Sequence, residues 1–248
     1  MLQRKAIFIG LIIIVCALPG CSIFGGDLPS NRRGVGESAR DFLTADDFTS
    51  IIVEIDYHTG FGPTPEAVEN LRTFIEERLH KPAGVTITLS DEIPTEFDIN
   101  QRIPQYTRDD IVDFEDEYRD IYNDDNTLAV YFLFVDGIFQ PSNGTLGFAY
   151  FNTSCTIMGA VVNNLSGNGQ FQSPREVLQT NVMIHEFAHL LGLVNDGTPM
   201  IQDHEDVNRP NHCNVAGCLM RAFIPTTIEE VRTLDALCIQ DLKANGGK

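Results

Sequence analysis

The sequence has no apolar run of the roughly 20 residues that a membrane-spanning helix requires, which excludes an integral helical membrane protein. Positive charge is scarce as well. Only 17 Lys and Arg stand against 35 Asp and Glu in 248 residues, and the resulting formal charge of −18 argues against a nucleic-acid backbone as partner. Internal repeats are missing, and the one low-complexity stretch is the Gly- and Ser-containing segment between residues 22 and 47, so no repeat architecture needs considering. What remains, 43% hydrophobic and 21% charged, is the composition of a globular chain rather than of a disordered tail or a coiled coil.

The amino terminus reads as an export signal. Arg4 and Lys5 form a positive start, Ala6 to Leu18 is an apolar stretch too short to span a bilayer, and Leu18-Pro19-Gly20-Cys21 follows. The small residue before Cys21 resembles the bacterial lipobox, in which Pro19 is unusual, and implies cleavage there, lipid on the Cys21 thiol and a membrane tether. An ordinary secretory signal cut nearby is the alternative, and both place the mature chain outside the cytoplasm. Ile23 stands where an inner-membrane lipoprotein would carry aspartate, so the expected location is the bacterial cell envelope, outer membrane, facing the periplasm or the exterior. Removing residues 1–20 leaves 15 basic against 35 acidic residues, or −20. Residues 21–47 are expected to be a flexible stalk and 48–248 a folded domain, and the chain is expected to be a monomer.

Cysteine usage follows from that compartment. Cys16 leaves with the signal and Cys21 carries the lipid, so Cys155, Cys213, Cys218 and Cys238 remain. In an exported protein such an even set predicts two disulfides, with Cys213–Cys218 and Cys155–Cys238 the preferred pairing among three.

Periodicity gives the elements. Alternation and β-branching from Ser50 to Tyr57 predict a strand, Val68, Leu71, Ile75 and Leu79 predict a helix after Pro65, and Val85 to Leu89 predict the next strand. Residues 91–106 read as irregular, and Asp109 to Tyr122 as an acidic helix with a solvated face rather than a calcium site. The apolar run Thr127 to Val135 predicts a buried central strand, with further strands at Leu146 to Phe151 and Thr156 to Val162. A long helix begins at Pro174 and stops at Gly192, and a last one is expected around Ile228 to Leu242. The class is α/β (α+β), a twisted mixed sheet with helices. His58 and His80 lack metal-like spacing and are expected on the surface, and the sequons at Asn143, Asn152 and Asn164 are incidental.

The long helix carries the chemical signal, His185-Glu186-Phe187-Ala188-His189. Histidines four apart share one helix face, so both imidazoles can reach one zinc, and Glu186 between them can handle the proton of a water on that metal. A third protein ligand would leave one position open, and zinc lowers the pKa of water there to roughly 7. A purely structural zinc would fill that position with protein and need no base.

Extended to Gly192, the string HExxHxxG resembles the metzincin clan of zinc peptidases, in which the glycine turns the chain out of the active-site helix. The clan's third ligand would fall at Asn195, a poor zinc ligand. Further on, His212-Cys213 followed by Cys218-Leu219-Met220 resembles the archaemetzincin signature of third histidine, two cysteines and Met-turn methionine. The 17 residues from Asn195 to Asn211 then read as an insertion at the cleft rim. The resemblance implies a zincin fold with a five-stranded sheet and a small C-terminal subdomain holding the Met-turn. It also implies His185, His189 and His212 as zinc ligands, with His204 or Asp196 as alternatives to His212, and Glu186 as general base and acid. Tyr150 and Phe151 fall where such enzymes place the edge strand that aligns an extended peptide. The downstream CxxC that helps bind a second, structural zinc in archaemetzincins is reduced here to Cys238, which argues against a second zinc. The function so implied is zinc metalloendopeptidase action on a peptide or protein substrate; the alternative is a non-catalytic zinc-containing scaffold lipoprotein.

Overall fold

The computed structural model describes residues 11–13, 30–95, 102–167, 169, 172–225 and 227–248. Cys21 and the rest of the predicted signal, apart from Leu11–Ile13, lie outside the described residues. Leu11–Ile13 form a short strand antiparallel to Phe223–Pro225. No helix among the described residues is long and apolar enough to cross a membrane.

The centre is a five-stranded sheet of β1 (Ser50–His58), β2 (Gly84–Ile93), β3 (Thr127–Val135), β4 (Gly147–Phe151) and β5 (Ser154–Met158), in the order β2-β1-β3-β5-β4. All neighbours are parallel except β4, which runs antiparallel to β5 at the edge. The continuous apolar run of β3 is explained by its place: Leu128 to Val135 are buried on both faces of a parallel strand. Among the described residues six helices accompany the sheet: α1 (Ala39–Leu43), α2 (Pro65–Arg78), α3 (Arg108–Tyr118), α4 (Gly159–Leu165), α5 (Arg175–Leu190) and α6 (Ala236–Ala244). Helix α2 starts where Thr64 accepts the Ala67 N–H and Pro65 fixes the first turn, and it buries Leu71, Phe74 and Ile75. Helix α5 lies against α2, β4 and β5, and every residue from Leu178 to Leu190 is buried.

Several expectations are corrected. Residues 30–47, expected to be stalk, are not one. From Ser30 the chain belongs to the domain, because Phe42 and Leu43 of α1 are buried and Phe42 meets Phe187 of α5 edge-on at 5.6 Å. Asn152, buried in the turn between β4 and β5, ties this strap down through Arg33 N, Ser30 O and Ser38 Oγ, which also removes its sequon from any surface role. The strand expected through Val162 stops at Met158, since its partner β3 ends opposite at Val135, and the apolar residues beyond turn into α4. Helix α6 begins at Ala236 rather than near Ile228, because Asp235 caps it by accepting the Leu237 and Cys238 N–H groups. His58 is buried, with Nδ1 2.8 Å from Asp136 Oδ1. Glu115 of the acidic helix is buried too, paired with Arg119 at 2.7 Å and bonded by Ser154 Oγ at 2.8 Å. His80 is exposed, as expected.

No disulfide joins the described cysteines. Cys155 sits alone in β5, apart from Cys238, and Cys213, Cys218 and Cys238 gather elsewhere as free thiols, so neither expected pairing is formed.

Candidate metal centre

Helix α5 presents His185 and His189 on one face, one turn apart, with ring centroids 4.8 Å from each other. The third ring comes from the strand Arg209–Cys213: His212 stands 5.3 Å from His185 and 5.3 Å from His189, centroid to centroid. The three form one buried group whose ligand atoms converge. Each Nδ1 faces a backbone carbonyl: His185 that of Leu219 at 2.8 Å, His189 that of Leu193 at 2.9 Å, and His212 that of Pro210 at 3.0 Å. Such bonds set Nδ1–H as donor in each ring and turn Nε2 toward the common centre. The Nε2 atoms of His185 and His189 are 3.2 Å apart, close to the about 3.3 Å edge of a zinc tetrahedron with nitrogens at about 2.0–2.1 Å. The donor set therefore fits a divalent ion.

Electrostatics agree. Burial, then the neighbouring His212, holds His185 down to about 3, and burial holds His189 and His212 below the usual imidazole range, so all three rings stay neutral and able to ligate. Glu186, next to His185 on α5, lies against β4, where Gly147 approaches its Cγ. Burial pushes its carboxyl well above the usual range, and the Ala149 backbone offsets this only in part. Apart from this approach of the Ala149 N–H, neither Glu186 oxygen meets a hydrogen-bond partner among the described residues.

Gly192 ends the helix with φ +77°, and a Cβ there would meet Thr198 N at 2.5 Å. This turn sends the chain back so that Val194 N reaches Asn211 O, beside His212. Gly192→Ala is expected to lower stability by about 1–3 kcal/mol, checked by urea unfolding, with metal affinity falling as well because the turn positions residue 212.

The other candidates fall elsewhere. Asn195 is exposed and donates to Glu205 at 3.2 Å. Asp196 accepts from Asn211 Nδ2 at 3.1 Å, below the strap, where Gly36 (φ +76°) passes so close to Asp196 O that no side chain would fit. Met220 is fully buried, two residues past Cys218. His204 lies apart from the three rings, with its Nε2 2.7 Å from Asp241 Oδ2. Tyr150 is buried in β4 and Phe151 partly so. Sequence reasoning missed the three carbonyls that orient the rings, since backbone atoms leave no residue-type signal, and missed the His204–Asp241 pair, which is distant in sequence.

Asp196 also carries a pH prediction. Burial, then Glu205 and Glu37, raises its pKa from 3.8 to about 6. A raised carboxyl adds stability that is complete below 3.8 and is lost as pH rises to about 6. Asp196→Asn is therefore expected to match the parent in thermal unfolding below pH 4 and to exceed it increasingly up to about pH 6, with a constant gain above.

No family model matches the chain, and no curated protein matches it. Among solved structures it is similar to metalloproteinase-II from Bacteroides fragilis, at 12% identity and a TM-score of 0.43. The match covers 82% of this chain and 55% of that one, so the chain spans about half the length of the structure it resembles. The likeness is too low to assign a fold family. What stands without it is a mixed α/β fold with His, Cys and Asp groups able to hold metal.

Proposed function

We propose that the protein is a zinc-dependent metalloendopeptidase of metzincin type, with His185, His189 and His212 as ligands. The observation that carries this is the convergence of three neutral imidazoles, two of them on the helix that also carries the buried Glu186, whose carboxyl meets little but the Ala149 backbone among the described residues. A buried carboxylate with so few partners is costly, and sites built for chemistry hold groups in that state. His185, His189 and His212 would hold zinc, which would supply Lewis acidity toward a water and the scissile carbonyl. Glu186 takes the proton of the attacking water and returns it to the leaving amine. The antiparallel edge strand β4, next to Glu186, aligns an extended peptide by backbone pairing along residues 147–151. Lipid anchorage through Cys21 in the cell envelope belongs to the same proposal.

One observation favours the second reading, a metal-holding scaffold without turnover: the three rings are only 0%, 1% and 2% exposed. Casein cleavage by the zinc-loaded protein, with and without chelator, separates the two. Cleavage that stops with chelator and returns with zinc supports the peptidase; absence of any cleavage by fully metallated protein leaves the scaffold.

A further inference from the structure

Guanidinium groups gather on the side of the three-histidine centre where the chain leaves Leu219, the residue whose carbonyl takes the His185 bond. Shortly after it, Phe223 lies between two arginines. Arg209 places its guanidinium over the Phe223 ring, 5.2 Å from the centroid, and Arg232 donates from Nη1 to Phe223 O at 3.3 Å. Arg209 is exposed on the strand that carries His212, and Arg232 is half-buried. Both charges are felt at the rings. After burial and His212, Arg232 adds to what keeps His185 neutral, and Arg209 acts in the same direction on His212.

Seven arginines of this chain pair with an Asp or Glu, but among the described residues neither Arg209 nor Arg232 does. The acids near them are already engaged: Asp206 with Arg221 at 3.7 Å, and Glu77 with Arg78 at 3.2 Å. Of the five N–H donors on each guanidinium, Arg209 uses one on Asn208 O at 3.0 Å and Arg232 one on Phe223 O. The extended segment paired with Phe223–Pro225, Leu11–Ile13, brings no carboxylate either. Acid is plentiful in a chain of formal charge −18, so two arginines left without it beside a metal centre mark a place where the carboxylate comes from outside. Arg232 also lines a cavity of about 180 Å³ between α2, α5 and residues 231–234, with Phe74, Ile184, Leu219 and Val231 among its apolar walls. Ile184 directly precedes His185. A short acidic side chain entering there rests its methylenes on those walls and meets the planar fork of Arg232.

We propose that Arg232, with Arg209 as its outer partner, selects peptides that place a carboxylate on the Phe223 side of the scissile bond. Selection for cleavage rests on the peptidase reading, whereas carboxylate recognition can be read from binding alone. Two sources supply that chemistry, an Asp or Glu side chain and the carboxylate at a peptide's end.

The test uses the zinc-loaded full chain and synthetic peptides tiling casein, made with acidic residues kept or replaced by their amides, and with carboxyl ends free or amidated. Cleavage is read by mass spectrometry, and binding to zinc-loaded Glu186→Gln by fluorescence anisotropy. Acidic peptides should be favoured about 10-fold over their amide counterparts in both readings, and the preference should fade at about 1 M salt, where screening acts within about 3 Å. Preference lost on amidating side chains assigns the carboxylate to Asp or Glu; preference lost only on amidating the end assigns it to the terminus. Arg232→Gln and Arg209→Gln should each reduce the preference, Arg232→Lys should retain part of it, and Arg209→Glu should turn it toward Lys-containing peptides. A merely structural role would instead lower cleavage of all peptides alike. Equal handling of acidic and amide peptides, or a preference untouched by both Gln variants, overturns the proposal, and chelator-sensitive casein cleavage then leaves the peptidase standing. Acid-selective binding without any cleavage by the metallated parent refutes the peptidase and leaves the arginines as a carboxylate-binding rim.

Discussion

Replacing Glu186 by glutamine is expected to abolish chelator-sensitive casein cleavage, by about 10²–10⁴-fold, while leaving the three-histidine centre able to bind its metal. The separation follows from geometry: Glu186 projects toward β4 and Gly147, and none of the three rings depends on it for orientation. The same substitution should stabilise the metal-free protein. Burial holds this carboxyl well above its usual range, so near neutral pH folding must bear the cost of protonating it, and the neutral amide removes that cost. Loss of activity joined to a higher unfolding temperature marks a group kept for chemistry at the expense of stability. Retained cleavage would sink the mechanism, and a fall in stability would show that Glu186 has a structural partner.

The sequence shows most clearly those features that depend on residue spacing within one element. The eight-residue string from His185 to Gly192 fixes a helix face and its end, and β3 declares itself by an unbroken apolar run. Less legible was everything set by partners far along the chain. The residues after Met158 carry the same β-branched character as the strand before them, yet they turn to helix because β3 offers no further edge to pair with. Phe42 and Leu43 looked like isolated apolar residues in a polar linker until Phe187 gave them a surface to cover. The cysteines follow the same rule. Compartment predicts disulfides, but three of the thiols gather near His204, which lies in the segment that reads as a rim insertion and pairs with Asp241, 37 residues downstream.

The second large effect concerns the third imidazole. His212→Ala is expected to remove the ion from the three-histidine centre and to drop cleavage to background, a loss exceeding the 10- to 100-fold that follows removal of an outer partner. Metal analysis and circular dichroism together would check that the ion is lost and the fold kept. A companion variant decides whether position or mere histidine content matters. Asn195, where the metzincin pattern places its third ligand, has φ +58° and is exposed with its amide bonded to Glu205, so its side chain leaves the centre. Adding Asn195→His to His212→Ala should therefore restore neither metal nor activity. Rescue by that double variant would mean that the turn after Gly192 can swing residue 195 inward, and that the strand Arg209–Cys213 does not supply the ligand.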